Sequence, residues 1–244
     1  MKRVLILGSS HGLGWVLVKM FHRDGWLVTG VSRSGHREQL EGVDSVVWDL
    51  SVLSKLDEFV DSLPGYVDLV VSCLAVYQHE GSLEEQAIYS YKINALAPYL
   101  IVTKLLKSRS AEDSLATVMV NSDSIFHPND KSPWYPSSKA ALKHLTSSLA
   151  EQAKNTASYV STMLMGPLDD ERKVEQLNRV AAKNSANFEE IKKRFLEKSN
   201  PAILITDLIP CETVYSAIIM LFEMGHSANG ALIRIDGGSA GALI

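Results

Sequence analysis

Short apolar runs alternate along this chain with stretches in which apolar residues recur at helical spacing. The first run, Val4–Leu7, ends at a glycine, as a buried parallel strand would. Helical spacing predicts helices at 13–21, 53–63, 83–107, 137–154, 168–199 and 213–224, the second stopped by Pro64 and the third bent by Pro98. The remaining apolar runs predict strands at Trp26–Ser32, Ser45–Trp48, Val67–Ser72, Ala116–Asn121, Tyr159–Leu164 and Ala231–Ile235.

Strands that alternate with helices of this length imply right-handed crossovers and a parallel sheet covered on both faces. We therefore predict an α/β fold, a seven-stranded parallel sheet with helices on both faces. A single domain should span residues 1–244. The charged segment at about 168–201 breaks the composition of the chain, and we interpret it as a lid over the site rather than as a domain boundary.

Composition argues against several classes of partner. The 244 residues are 46% hydrophobic, which is enough for a sizeable core, and carry a formal net charge of −4 without a long basic block. Nucleic acid is therefore a poor candidate, and no apolar run reaches the roughly 20 residues that span a bilayer. The two cysteines, Cys73 and Cys211, lack metal-type spacing, which favours buried thiols in a reducing cytoplasm and no metal site.

A glycine-rich turn, Gly8-Ser-Ser-His-Gly12-Leu-Gly14, follows the first predicted strand and opens the first predicted helix. Gly8 permits a tight turn, Gly12 lets the backbone approach a phosphate, and Gly14 allows the helix and strand to pack closely. The helix N-terminus adds unpaired N–H groups and a positive dipole end. This context favours a dinucleotide site over a plain tight connection, with contacts from Gly8, Ser10, His11, Gly12, Leu13 and Gly14.

The end of the second predicted strand bears on the choice of nicotinamide cofactor. A carboxylate there would bind the ribose hydroxyls of NAD, and none is present. Ser32 and Arg33 offer instead a hydroxyl and a fork-shaped cation that match a 2′-phosphate, to which His11 and Arg37 can add. We therefore favour NADP(H) over NAD(H); the alternative is that Arg33 is a solvated surface charge. After the third strand, Asp49 can accept from the adenine amino group, with Leu50 beside it.

Tyr135 and Lys139 lie four residues apart in the stretch Trp-Tyr-Pro-Ser-Ser-Lys, so they share one side of a helix. We predict that the lysine charge favours the phenolate and lowers the tyrosine pKa below its reference of about 10. Such a tyrosine can exchange a proton with an alcohol or carbonyl oxygen near neutral pH. Tyr77, after the fourth strand, can line the mouth of the same pocket.

The glycine turn, Asn94, a serine near 122 and Tyr135-x-x-x-Lys139, in this order and spacing, resemble the short-chain dehydrogenase/reductase family in its single-domain form. The resemblance covers nearly the whole chain, down to Asp236-Gly237-Gly238 after the last strand. It implies a Rossmann-type doubly wound seven-stranded parallel sheet in the order 3-2-1-4-5-6-7. It also implies an enzyme that transfers a hydride between NAD(P) and a small carbonyl compound or secondary alcohol.

The resemblance also implies roles for individual residues. Tyr135 would be the general acid in reduction and the base in oxidation, and Lys139 would bind the nicotinamide ribose. Asn94 would hold a water that links Lys139 to solvent; the alternative is a buried helix asparagine that bridges backbone. Ser122, or Ser124 in its place, would donate to the substrate oxygen.

Departures from the family pattern mark a divergent member. Ser72-Cys73-Leu74-Ala75 replaces the usual Asn-Asn-Ala-Gly, and Met165-Gly166-Pro167-Leu168 stands where Pro-Gly and then a threonine are usual. We expect the backbone of Leu74, Gly166 and Leu168 to contact the cofactor nonetheless. The departures leave a rival open, a non-catalytic NADP(H)-binding regulatory or assembly protein. Family members usually assemble through their long helices, so a homodimer or homotetramer is expected.

Overall fold

The computed structural model describes residues 1–63, 65–127, 129–130, 132–199 and 202–239, so Pro64 and the end of the predicted lid at 200–201 lie outside the described residues. The predicted parallel sheet is confirmed, and each predicted strand lies within a few residues of its expected bounds. The strands are β1 (Arg3–Leu7), β2 (Leu27–Ser32), β3 (Val43–Val47), β4 (Leu69–Ser72), β5 (Ala116–Ser122), β6 (Tyr159–Met165), β7 (Leu168–Asp169), β8 (Ile209–Pro210) and β9 (Leu232–Ile235).

The main sheet has seven parallel strands in the order β3-β2-β1-β4-β5-β6-β9, which is the predicted order 3-2-1-4-5-6-7. The strand order reverses between β1 and β4, where the crossovers leave in opposite directions. Ligands of such sheets bind at this switch point, outside the carboxyl ends of the strands. The glycine turn after β1 opens at this position.

Helices cover both faces of the sheet because successive side chains of each strand point to opposite sides. Val4 and Ile6 pack on one face and Leu5 and Leu7 on the other. The helices are α1 (Gly12–Arg23), α2 (Leu56–Asp61), α3 (Leu83–Tyr91), α4 (Ala97–Lys107), α5 (Trp134–Ala153), α6 (Glu171–Asn184), α7 (Phe188–Ser199) and α8 (Cys211–Glu223).

The long helix predicted over 83–107 is divided by a π-helical turn at Lys92–Leu96. Pro98 lacks the N–H that would bond to the carbonyl of Asn94 in an α-helix, so the local hydrogen-bonding pattern must change before it. π-helical turns inside helices occur frequently at functional sites. Asn94 lies in this turn and is fully buried.

The charged segment predicted to be helical forms β7, α6 and α7, and we call residues 168–199 the capping segment. Ser185, with φ 50°, ends α6 in the left-handed region and separates the two helices. β7 pairs with β8 and fixes the start of the segment to the domain. The two helices share a small apolar core with Leu208.

None of the helices in the described ranges combines the length and the apolar character that a membrane span requires.

Candidate active site

The glycine turn forms a close-packed backbone cradle at the start of α1. Gly8 and Gly12 have φ angles of 87° and 58°, which L side chains rarely adopt. A Cβ on Gly14 would lie only 2.0 Å from the carbonyl oxygen of Gly8. His11, the N-cap residue of α1, makes no side-chain capping bond, and the first turn holds no acidic residue. An uncapped helix N-terminus behind a glycine cradle fits a pyrophosphate group.

A cleft of about 1080 Å³ extends from this turn to the start of α5. It brings together every predicted catalytic and cofactor residue except Asn94. These lining residues are Gly8, Ser10, His11, Gly12, Leu13, Gly14, Ser32, Arg33, Asp49, Leu50, Leu74, Ser122, Tyr135, Lys139, Gly166 and Leu168.

The predicted phosphate-binding residues lie at one end of the cleft. The Arg33 guanidinium donates to the Tyr89 hydroxyl at 3.0 Å, and the Ser32 hydroxyl donates to the Gly35 carbonyl at 3.1 Å. Arg37 does not line the cleft, because its guanidinium pairs with Glu171 of the capping segment at 2.5 Å. Arg33 is therefore the cation of this loop that faces the cofactor side.

Lys139 is buried and donates from Nζ to the carbonyl oxygens of Leu74 at 2.9 Å and Val120 at 3.1 Å. Leu74 lies two residues after β4 and Val120 lies within β5, so the ammonium joins the loop after β4 to β5. Burial lowers the pKa of Lys139 to about 8, because the ammonium loses most of its hydration.

Tyr135 lies in the first turn of α5 and is 9% exposed. Burial raises its pKa well above the ordinary value, and Tyr77 raises it further. The prediction that Lys139 lowers this pKa is therefore wrong in this structure. The ammonium is directed at two backbone carbonyls, and the desolvation of the phenolate outweighs its charge.

The aromatic ring of Tyr77 stacks on that of Tyr135, with centroids 4.1 Å apart and planes inclined by 25°. The Tyr135 hydroxyl donates to the Tyr77 hydroxyl at 3.4 Å. The sequence placed Tyr77 only at the pocket mouth; in the structure it contacts the predicted catalytic phenol directly.

Replacing Tyr77 by phenylalanine should lower the pKa of Tyr135, because the Tyr77 hydroxyl accepts a bond from the neutral phenol and so raises that pKa. The stacked ring is kept. In alcohol oxidation, the rise of kcat/KM with pH should move to lower pH, since kcat/KM reports the free enzyme. Tyr89→Phe, whose hydroxyl bonds to Arg33, is the control and should leave the profile in place. An unmoved or upward-shifted profile in Tyr77→Phe contradicts the assignment.

The structure distinguishes the two candidate serines. The Ser122 hydroxyl interacts with the Tyr135 phenol and lowers its pKa, and it also accepts from the Ser124 backbone N–H at 3.2 Å. The Ser124 hydroxyl is buried without a hydrogen-bond partner among the described residues. Ser122 is thus the serine placed beside the phenol.

The Asn94 side chain bridges the backbone of the loop after β4. Its oxygen accepts from the Val76 N–H at 2.7 Å, and its amide nitrogen donates to the Val76 carbonyl at 3.0 Å and to the Ser138 hydroxyl at 2.9 Å. Both amide hydrogens are therefore used. This is the bridging alternative of the sequence analysis, and it ties the π-helical turn to α5 and to the loop that carries Tyr77.

The remaining predicted contacts come from backbone at the carboxyl edge of the sheet. Gly166 packs so closely on Asp236 that a Cβ there would lie 2.8 Å from the Asp236 carbonyl oxygen. Leu168 begins β7, and Leu74 supplies a carbonyl to Lys139. These positions keep backbone in the cleft although the side chains depart from the family pattern.

The sequence analysis missed three cations of the capping segment that line the cleft: Arg172, Lys173 and Arg179. Arg172 contacts the Nε2 atom of His11 at 2.9 Å, which places α6 against the glycine turn. The helical spacing of these residues was visible in the sequence, but the face of α6 that meets the cleft was not.

One cleft at the switch point holds the glycine turn, the buried Lys139 ammonium and the Tyr135 phenol beside Ser122. This combination is typical of an oxidoreductase that uses a nucleotide cofactor. Residues 2–179 match the family model described as short chain dehydrogenase. The chain belongs to this family, and it is an NAD(P)-dependent oxidoreductase that acts on CH–OH and C=O groups.

Known relatives and structures are similar over nearly their whole length. An uncharacterised oxidoreductase of Bacillus subtilis strain 168, YvrD, is 26% identical over 251 aligned residues that cover 97% of this chain and 95% of that protein. L-sorbose reductase from Gluconobacter frateurii, solved with NADPH and L-sorbose, is 19% identical with a TM-score of 0.84, covering 99% of this chain and 97% of that chain. 4-Hydroxyisoleucine dehydrogenase, solved with NADH, is 17% identical with a TM-score of 0.81, covering 100% of both chains.

Proposed function

We propose that this oxidoreductase uses NADP(H) and acts on a small carbonyl compound or secondary alcohol. The observation that carries the proposal is the cleft itself, which holds Tyr135, Ser122 and Lys139 together with the glycine turn. The same observation favours the enzyme over the non-catalytic regulator. The test is a screen of carbonyl compounds and alcohols in which absorbance of the reduced cofactor is followed with NADPH and with NADH.

Each residue has a defined part in this proposal. Tyr135 donates its hydroxyl proton to the substrate oxygen in reduction and takes it back in oxidation. The Ser122 hydroxyl donates to the same oxygen and stabilises the charge that develops there. When bound, the nicotinamide supplies or accepts the hydride.

Lys139 acts through its charge at the floor of the cleft. Its ammonium can donate to a ribose hydroxyl as well as to the carbonyls of Leu74 and Val120, since an ammonium has three donors. With its pKa at about 8, it is mostly charged at neutral pH. In this proposal its charge offsets part of the desolvation that opposes the phenolate form of Tyr135.

The preference for NADP(H) is supported by the loop after β2. Arg33 lines the cleft, and its planar guanidinium can bind a phosphate through two hydrogen bonds. The stretch from Ser32 to Arg37 holds no carboxylate that would repel a phosphate. We further propose that the capping segment is the lid of the site. Arg172 of this segment contacts His11 in the glycine turn, and Glu171 pairs with Arg37 in the loop after β2.

Replacing Arg33 by alanine should weaken NADPH binding roughly 10- to 100-fold, because a hydrogen bond to a charged group contributes about 1.5–3 kcal/mol. NADH lacks the 2′-phosphate, so its affinity should not change and serves as the internal control. Fluorescence titration of both reduced cofactors measures the effect. Equal losses for the two cofactors, or no loss for NADPH, would contradict the proposed role of Arg33.

A further inference from the structure

The face of α6 that lines the cleft is basic. Arg172, Gln176 and Arg179 recur at spacings of four and three residues, and Lys173 lies one turn before Gln176. Residues at such spacing share one side of a helix. The lid thus presents three cations to the cleft that also holds Tyr135.

These cations differ from those of α7 in their partners. On α7, Lys192, Lys193 and Arg194 each pair with a carboxylate. Over the described ranges, no ion pair with a carboxylate involves Arg172, Lys173 or Arg179. In the part of the chain that the structure describes, these three cations therefore lack the direct carboxylate partner that each of the α7 cations has.

The groups in direct contact with the Lys173 ammonium are neutral. Its ammonium lies 4.3 Å from the centroid of the Phe195 ring and donates to the Gln176 side-chain oxygen at 2.9 Å. The side chain is half-buried, and burial lowers its pKa more than the carboxylate of Asp170 raises it. An oxyanion bound here would supply the opposite charge that the ammonium lacks.

Arg179 can also bind an oxyanion, whereas Arg172 already contacts another side chain. The Arg179 guanidinium donates from Nε to the backbone carbonyl of Glu175 at 3.3 Å, which leaves its terminal nitrogens for a ligand. Arg172 contacts His11 in the glycine turn, so we assign it to the cofactor side. Two acidic groups lie on this face. The Asp170 carboxylate caps α6 by accepting from the Lys173 backbone N–H at 2.8 Å, and Glu175 also lines the cleft.

We propose that the substrate carries an oxyanion, a carboxylate or a phosphate, in addition to its carbonyl group, and that Lys173 and Arg179 bind this oxyanion. The inference rests on the proposed function, because it names the substrate class of the same site. Charge-assisted bonds to fixed cations give selectivity between an acid and its neutral counterpart.

Three matched pairs of carbonyl compounds test the proposal: acetoacetate and its methyl ester, levulinate and its methyl ester, and dihydroxyacetone phosphate and dihydroxyacetone. NADPH consumption is compared within each pair for the wild type, Lys173→Met, Arg179→Gln and Lys183→Met. Lys183 is a control because it lies on α6 and does not line the cleft. Binding of the same compounds to the NADPH-loaded Tyr135→Phe variant, with and without Lys173→Met, is measured by calorimetry.

We expect at least one anionic compound to exceed its neutral counterpart by about tenfold or more in kcat/KM and in affinity, since bonds between charged groups are the stronger ones. Lys173→Met and Arg179→Gln should each reduce that ratio, and Lys183→Met should keep it. The carboxylate and phosphate pairs identify which oxyanion is bound.

The inference would be overturned if the neutral compounds bound as tightly as the anions, or if no anion bound. Weakened NADPH binding in Lys173→Met with an unchanged ratio would also overturn it, since the cation would then serve the cofactor. Anion binding that depends on Lys173 without any NADPH consumption would instead contradict the proposed function and leave the oxyanion site standing.

Discussion

Carbonyl reduction by the Tyr135→Phe variant is expected to fall by about 10²–10⁴-fold, the usual contribution of a positioned general acid. The substitution removes the hydroxyl that donates the proton and keeps the ring that stacks on Tyr77. NADPH affinity should stay at the wild-type value, because the glycine turn and Lys139 are untouched. Stopped-flow measurement of NADPH oxidation and fluorescence titration of NADPH give the two quantities.

A matched control is Tyr159→Phe, which removes another buried phenol. The Tyr159 hydroxyl donates to the Phe222 carbonyl at 2.6 Å, away from the cleft. Loss of this hydrogen bond should lower the free energy of unfolding by about 1 kcal/mol and leave the turnover rate unchanged. Turnover that survives in Tyr135→Phe, or that falls equally in Tyr159→Phe, would remove Tyr135 from the proposed mechanism.

The second large effect is expected for Gly14→Ala. The new Cβ would lie 2.0 Å from the Gly8 carbonyl oxygen and 3.0 Å from the Gly8 carbonyl carbon, so the turn has to open. Because the opened turn loses charge-assisted hydrogen bonds to the pyrophosphate, each worth about 1.5–3 kcal/mol, NADPH affinity should fall by about 10- to 100-fold. The overpacked turn should also lose about 1–3 kcal/mol of unfolding free energy. Fluorescence titration and urea unfolding measure these changes.

Gly25→Ala provides the comparison at the opposite end of α1. Gly25 has φ 79°, and a Cβ there would meet no atom within 4 Å. This variant should lose about 1–2 kcal/mol to left-handed strain and keep its NADPH affinity. If Gly14→Ala bound NADPH as tightly as the wild type, the glycine turn would not be the cofactor site.

The strands and the parallel sheet could be predicted because they depend on local periodicity and on general rules of chain topology, whereas the strand order came from the family resemblance. Apolar runs such as Val4–Leu7 pack on both faces of the sheet, so their sequence predicts buried strands without any knowledge of the neighbouring strands. The π-helical turn at Lys92–Leu96 was not predicted. Pro98 indicated a disturbance of the helix, but whether the helix bends or widens depends on how Asn94 and its neighbours pack.

The site could be predicted where its residues are close in sequence. The glycine turn lies within seven residues, and Tyr135 and Lys139 lie four residues apart on one helix. The electrostatics could not be predicted. The pKa of Tyr135 depends on Tyr77, 58 positions away, and the Lys139 ammonium is bound by the carbonyls of Leu74 and Val120 from distant parts of the chain. The basic face of α6 depends in the same way on how the capping segment lies against the sheet.

A crystal structure with NADPH bound tests the central claim most directly, since the claim is that one cleft holds the cofactor against Tyr135. The account predicts the pyrophosphate at Gly8–Gly14, the 2′-phosphate at Arg33, and the nicotinamide ring facing the Tyr135 hydroxyl beside Lys139. A nicotinamide ring bound elsewhere, with Tyr135 still covered by Tyr77, would contradict it.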